Sequence, residues 1–138
     1  MEPAFELCDH TADLGVRVRA DTREELVAPA IDGLYAAIGG LEPAPATEGR
    51  TLDFTGDDAA VLLRDLLAEL LYLFEHERLI VVGTTVDTFD NAHLRVHVQL
   101  GQVPADAAFD REVKAVTYHE LSVQPTAGGY EAVYIVDI

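Results

Sequence analysis

Lysine is nearly missing from this chain. Lys114 is the single example, and with the arginines it brings the basic residues to only 9 against 25 Asp and Glu, a formal charge of −16. Such a surface repels phosphate backbones over most of its extent, which argues against autonomous nucleic-acid binding and routes any RNA connection through a partner. Cysteine is as scarce: Cys8 stands alone, so neither an intrachain disulfide, a Cys-rich zinc site nor a redox pair can be built, and an intracellular protein fits best. Ser122 is the only serine and has no Gly-x-Ser-x-Gly elbow, while Gly39-Gly40 and Gly128-Gly129 are isolated pairs rather than a phosphate-cradling loop. No apolar run approaches the roughly 20 residues of a membrane-spanning helix. The opening Met1-Glu2-Pro3-Ala4-Phe5 lacks the basic and apolar regions of a signal peptide. A soluble, cytoplasmic protein with no membrane partner is the expectation.

What is present suffices for one domain over residues 1–138, because 49% apolar residues fill a core without a metal or disulfide staple. Phe5 to Cys8 is a strand candidate, and Leu14 to Ala20 alternates with period two, so Asp9-His10-Thr11-Ala12-Asp13 is a turn between two strands. Thr22-Arg23-Glu24-Glu25 reads as a capping box, with the Thr22 hydroxyl on the Glu25 amide and the Glu25 carboxylate on the Thr22 amide. Leu26, Ala30, Leu34 and Ile38 then form a helical stripe that Gly39-Gly40 stops. Pro29 removes a hydrogen bond from that helix, which predicts a kink or a start later than the cap. After a loop over 41–50 and a short strand over 51–54, Asp57-Asp58 caps a second helix with Leu63, Leu66, Leu67, Leu70 and Phe74 inward and Arg64, Asp65 and Glu69 on the wet side. From Leu79 the period is two: a hairpin turning at Asp90-Asn91, a loop over 101–110, then strands near 112–117, 119–124 and 130–137. The sum is an α+β domain, two helices packed on a mixed, mainly antiparallel sheet.

Candidate chemistry lies at three places. Asp9, His10 and Asp13 are short polar residues on one turn, where two carboxylates supply some of the oxygen ligands of calcium, magnesium or manganese; they also suit plain turn capping. Asp137 adds a carboxylate, and Ile138, as the last residue given, a terminal one. Lys114 lies in a period-two stretch, with Val113, Ala115 and Thr117 on one face and Lys114, Val116 and Tyr118 on the other. It either snorkels at a sheet edge or enters a site, where it can meet phosphate as a point charge. His119 suits a ligand, a proton carrier or a structural histidine. Tyr118 reads as core, and His76, His93 and His97, without acidic or cysteine partners at ligand spacing, read as surface residues.

Taken together, Asp-His-Thr-Ala-Asp at 9–13, Val-Lys-Ala-Val-Thr-Tyr-His-Glu-Leu at 113–121, the closing Asp137-Ile138 and Glu69-Leu70-Leu71-Tyr72-Leu73-Phe74 resemble the archease family from end to end. The resemblance implies a small α+β fold and an accessory role toward an RtcB-type RNA ligase of tRNA splicing and RNA repair. That ligase uses GTP and a divalent metal to join 3′-phosphate (or 2′,3′-cyclic phosphate) and 5′-hydroxyl ends. Archeases promote its guanylylation and multiple turnover without sealing RNA themselves, so the implied protein is an activator and not an enzyme. By position, Asp13, Asp137 and the Ile138 carboxylate match the family's metal ligands, with calcium the first expectation in a crystal. Lys114 matches a residue linked to activation, with His119, Asp9 and His10 beside it. The loop over 101–111 lacks the Arg-His pair that often precedes the nine-residue block. Two rival readings are a stand-alone divalent-metal phosphoesterase with His119 as general base, and a non-catalytic folding or scaffold module.

Overall fold

The computed structural model describes residues 3–9 and 13–138. Within them two helices and eight strands follow one another as β1 (Ala4–Asp9), β2 (Asp13–Ala20), α1 (Val27–Ile38), β3 (Ala46–Thr55), α2 (Ala59–Glu77), β4 (Leu79–Phe89), β5 (His93–Gln102), β6 (Ala115–Val116), β7 (Ser122–Thr126) and β8 (Gly129–Asp137). The expected α+β plan is present, and its strands divide between two antiparallel sheets. One runs β1-β2-β8-β6 with β7 also on β8, and the other is ordered β3-β5-β4.

Period-two patterning assigns each face. Leu14, Val16, Val18 and Ala20 of β2 are buried, as are Ala132, Tyr134 and Val136, which lie opposite three of them on β8. In β5, Leu94, Val96, Val98 and Leu100 face inward while His93, Arg95 and His97 face out. Both sheets and both helices share one continuous apolar cluster, in which α1 packs on β1 and β2 and α2 packs chiefly on the three-stranded sheet and β6.

The first helix begins late, as Pro29 predicts. A 3-10 turn over Glu24–Leu26 precedes it, so Pro29 falls in the first α turn, where its missing N–H would have no intrahelical partner. The Thr22 hydroxyl accepts from the Glu25 N–H at 3.2 Å, but the Glu25 carboxylate takes its bond from that same hydroxyl at 2.9 Å rather than from the Thr22 amide. Asp58 caps α2 by accepting from Ala60 N–H at 2.9 Å, and the leucine stripe behind it is buried. β3 starts at Ala46, inside the stretch that its prolines mark as loop. The strand expected over 112–117 shortens to Ala115–Val116. Among the described residues no helix is long and apolar enough to cross a membrane.

Candidate functional site

Two of the proposed acidic segments meet through β8. Its last residue, Asp137, lies opposite Asp13 on β2 and opposite Ala115 on β6. Residues directly opposite in antiparallel strands project from the same face, so Asp13, Asp137 and Ala115 form one row across three strands. The adjoining Leu14, Val136 and Val116 point the other way into the core, which fixes the register: a slip by one position would bury the carboxylates. Lys114 joins through its backbone, its N–H donating to the Asp137 carbonyl at 2.8 Å, and its side chain is exposed. Thr117 N–H donates to the Ile135 carbonyl at 2.9 Å, prolonging the docking of this segment on β8.

An open depression beside the row is lined by Ala115, Thr117, Tyr118, His119 and Asp137. Thr117 shapes the turn, its hydroxyl accepting from His119 N–H at 3.1 Å. Glu120 follows in a left-handed conformation, φ 51°, which reverses the chain toward β7. Asp137, Lys114 and His119 are therefore exposed neighbours at one edge of the five-stranded sheet. Asp9 ends β1 opposite Leu14, one position off the Asp13–Asp137 row, and His10 lies outside the described residues. Ile138 follows Asp137 and is half-buried against the core.

Tyr118 is not core: it is 62% exposed. The two-residue strand ends at Val116, and the alternation read across 113–118 does not hold, since Lys114 is exposed while Val116 is buried. His93 and His97 do have acidic partners, Asp53 and Asp87, supplied by the flanking strands β3 and β4. Arg95 between them pairs with both carboxylates, at 2.9 and 3.3 Å. The Asp53 carboxyl is held below the usual carboxylate range, first by its hydrogen bond to His93 and further by Arg95.

Arg64 is the site residue that sequence reasoning assigns only to the wet side of α2. Its Nε donates to the Val116 carbonyl at 3.0 Å, and its guanidinium lies 4.4 Å from the centroid of the Tyr118 ring. The helix thereby holds both β6 and the following aromatic in place. The signal available in sequence was an arginine bordering a leucine stripe, which does not name the strand it will reach.

Asp13 and Asp137 fit a hard divalent cation as two of its oxygen ligands. Like charges directly opposite each other across strands are unfavourable, and a cation between them relieves that repulsion. Among the described residues no three His, Cys, Asp or Glu side chains gather as a metal site, so a cation here would need further oxygen donors.

The profile of the archease protein family (MTH1598/TM1083) matches residues 5–138. The chain belongs to the archease family. Among archeases, it is 33% identical to the protein archease of Methanosarcina barkeri over 139 residues, covering 97% of this chain and 95% of the relative. It is 34% identical to that of Methanopyrus kandleri over 143 residues, covering 97% and 99%. Its fold is similar to the solution structure of Methanobacterium thermoautotrophicum protein 1598, with a TM-score of 0.79 and 27% identity over 98% of this chain and 99% of that one. The archease likeness thus spans both sheets and includes all the strands that carry the candidate site.

Proposed function

We propose that this archease-family chain is an accessory protein of an RtcB-type RNA ligase, promoting the ligase's guanylylation and multiple turnover from the edge formed by β2, β8 and β6. The observation that carries the reading is the row Asp13, Asp137, Ala115 with Lys114 bonded to the Asp137 backbone, in which Asp13, Asp137 and Lys114 are residues the family resemblance singles out. In this reading Asp13, Asp137 and a carboxylate at Ile138 hold a divalent cation, calcium, magnesium or manganese. Bound there, the cation supplies positive charge for nucleotide phosphates or for the ligase's own centre. Lys114 offers a mobile point charge to the same phosphates, and His119, across the depression, takes or gives a proton during guanylate transfer. Asp9 ends β1 beside this edge. The acidic remainder of the surface docks on a basic, RNA-binding ligase and competes little for its RNA. The cytoplasm, where tRNA is processed, is the matching compartment.

Multiple-turnover ligation and guanylylation by a cognate ligase, with and without this protein, test the proposal. Asp13→Ala, Asp137→Ala and Lys114→Ala should each abolish stimulation while leaving the fold intact, and residues added after Ile138 should weaken it. Stimulation that survives all three substitutions would reduce the protein to a scaffold. Partner-free phosphoester hydrolysis lost in Asp13→Ala would make it a hydrolase instead.

A further inference from the structure

A second depression, of about 430 Å³, opens where the C-terminal ends of the two helices meet the 103–114 segment, and it is lined by Phe74, Glu75, Arg78, Phe109, Arg111 and Glu112. Its size falls within the range of small-molecule sites. Its two arginines are among three of the chain's eight, with Arg23 beside the Tyr130 ring, that have no carboxylate partner among the described residues. Arg17, Arg19, Arg50, Arg64 and Arg95 all pair with carboxylates. Arg78 and Arg111 form no ion pair with any described residue, although acids outnumber bases 25 to 9 and two glutamates line the same depression.

The Arg78 guanidinium lies 5.6 Å from the Phe74 ring centroid and 5.2 Å from that of Phe109, and these rings pack edge to face at 4.8 Å. Stacking occupies the flat face of a guanidinium and leaves its in-plane N–H donors free for a two-oxygen acceptor. Arg111 spends one nitrogen on the Ala37 carbonyl, at 2.6 Å, and keeps its other donors. Arg78 also holds a left-handed backbone conformation, φ 55°, at the C-cap of α2, where glycine is the relaxed choice.

We propose that this depression binds a small ligand in which an oxyanion, phosphate or carboxylate, is carried on a flat apolar body. The oxyanion takes the free donors of Arg78 and Arg111, and the flat body rests on the half-exposed Phe109 ring. The site is separate from the Asp13–Asp137 edge and does not depend on the ligase reading.

NMR titration of the full chain with phenyl phosphate, benzoate, inorganic phosphate and benzyl alcohol tests it. At least one aryl acid should give saturable shifts at Arg78, Phe109 and Arg111, and the tighter of the two identifies the oxyanion. Arg78→Gln should weaken that binding about tenfold or more, and Phe109→Leu, which keeps the floor apolar, should weaken it as well. The proposal is overturned if neither aryl acid saturates, if inorganic phosphate or benzyl alcohol binds as tightly, or if either variant, with a dispersed spectrum, keeps wild-type affinity.

Discussion

At the scale of single residues, Arg64 joins a helix to the strand that borders the candidate site. Its bond to the Val116 carbonyl is charge-assisted, and the stack on Tyr118 adds a contact in partly shielded surroundings. Arg64→Met keeps the apolar stem and removes both, so it should cost about 1–3 kcal/mol in urea unfolding, with amide shifts spreading through 114–118. Tyr118→Ala should cost less than about 1 kcal/mol, because that ring is mostly in water. The acidic and basic members of the edge are legible in the sequence, since Asp13, Asp137 and Lys114 belong to recognisable segments. Tyr118 is not, because burial depends on where β6 stops, and two residues of strand leave no periodicity to read. His93 and His97 are misread for a related reason: their carboxylates are neighbours across strands, not along the chain. Asp53 tests that network. Its carboxyl titrates below its ordinary 3.8 because His93 and Arg95 favour the charged form. The associated stabilisation is present above 3.8 and is lost as the pH falls through the depressed value. Carbon NMR titration of the Asp53 carboxyl should show a midpoint that moves up toward 3.8 in His93→Ala; an unmoved midpoint would assign the depression elsewhere.

At the scale of elements, α1 is shaped by one close approach. A Cβ on Gly33 would lie 2.6 Å from Val16 Cγ1 and 3.2 Å from the Tyr134 hydroxyl, so the helix reaches the sheet only because no side chain intervenes. Tyr134 fastens the contact by donating to the Ala30 carbonyl at 2.7 Å from a fully buried position. Gly33→Ala gains about 1 kcal/mol of helix propensity yet should be destabilising by about 1–3 kcal/mol net, because overpacking displaces α1 from β2. Equilibrium denaturation decides the sign, and a more stable variant would mean that Val16 repacks freely. Helix stripes, caps and the hairpin are readable from local pattern because each is fixed by residues within a few positions of one another. The 3-10 entry to α1 is readable only as the consequence of Pro29, and the early start of β3 is not readable, since pairing with β5 recruits residues that local composition assigns to loop.

At the scale of the molecule, the sequence indicates the α+β class but not the division into two sheets, because no local pattern states which strands neighbour which. The separation rests on long-range pairing such as Arg19 with Glu131, 112 positions apart. Both halves of the core also contain tyrosines that resist ionisation. Burial raises the Tyr35 hydroxyl to about 12, with Asp32 adding to the shift against the opposing bond from Val81 N–H, and it also raises Tyr134 well above the ordinary 10.0. Their contribution to stability is complete below 10.0 and disappears as the pH climbs through the raised values, because the unfolded chain releases these protons first. Tyrosinate absorbance should therefore show two groups that titrate late and together with loss of circular dichroism.

The placement of Asp137 between β2 and β6 also sets an order in time. β4 and β5 pair as a local hairpin, and β3 closes on β5 across 38 to 55 positions, against 110 to 124 between β2 and β8, so the three-stranded sheet forms with the shorter loop closures. The five-stranded sheet has to wait for β8, which alone joins β2 to β6 and β7. The Asp13–Asp137 row is thus among the last features to assemble, and a chain folded only through its middle portion presents no such pair. The carboxylate edge certifies a finished molecule.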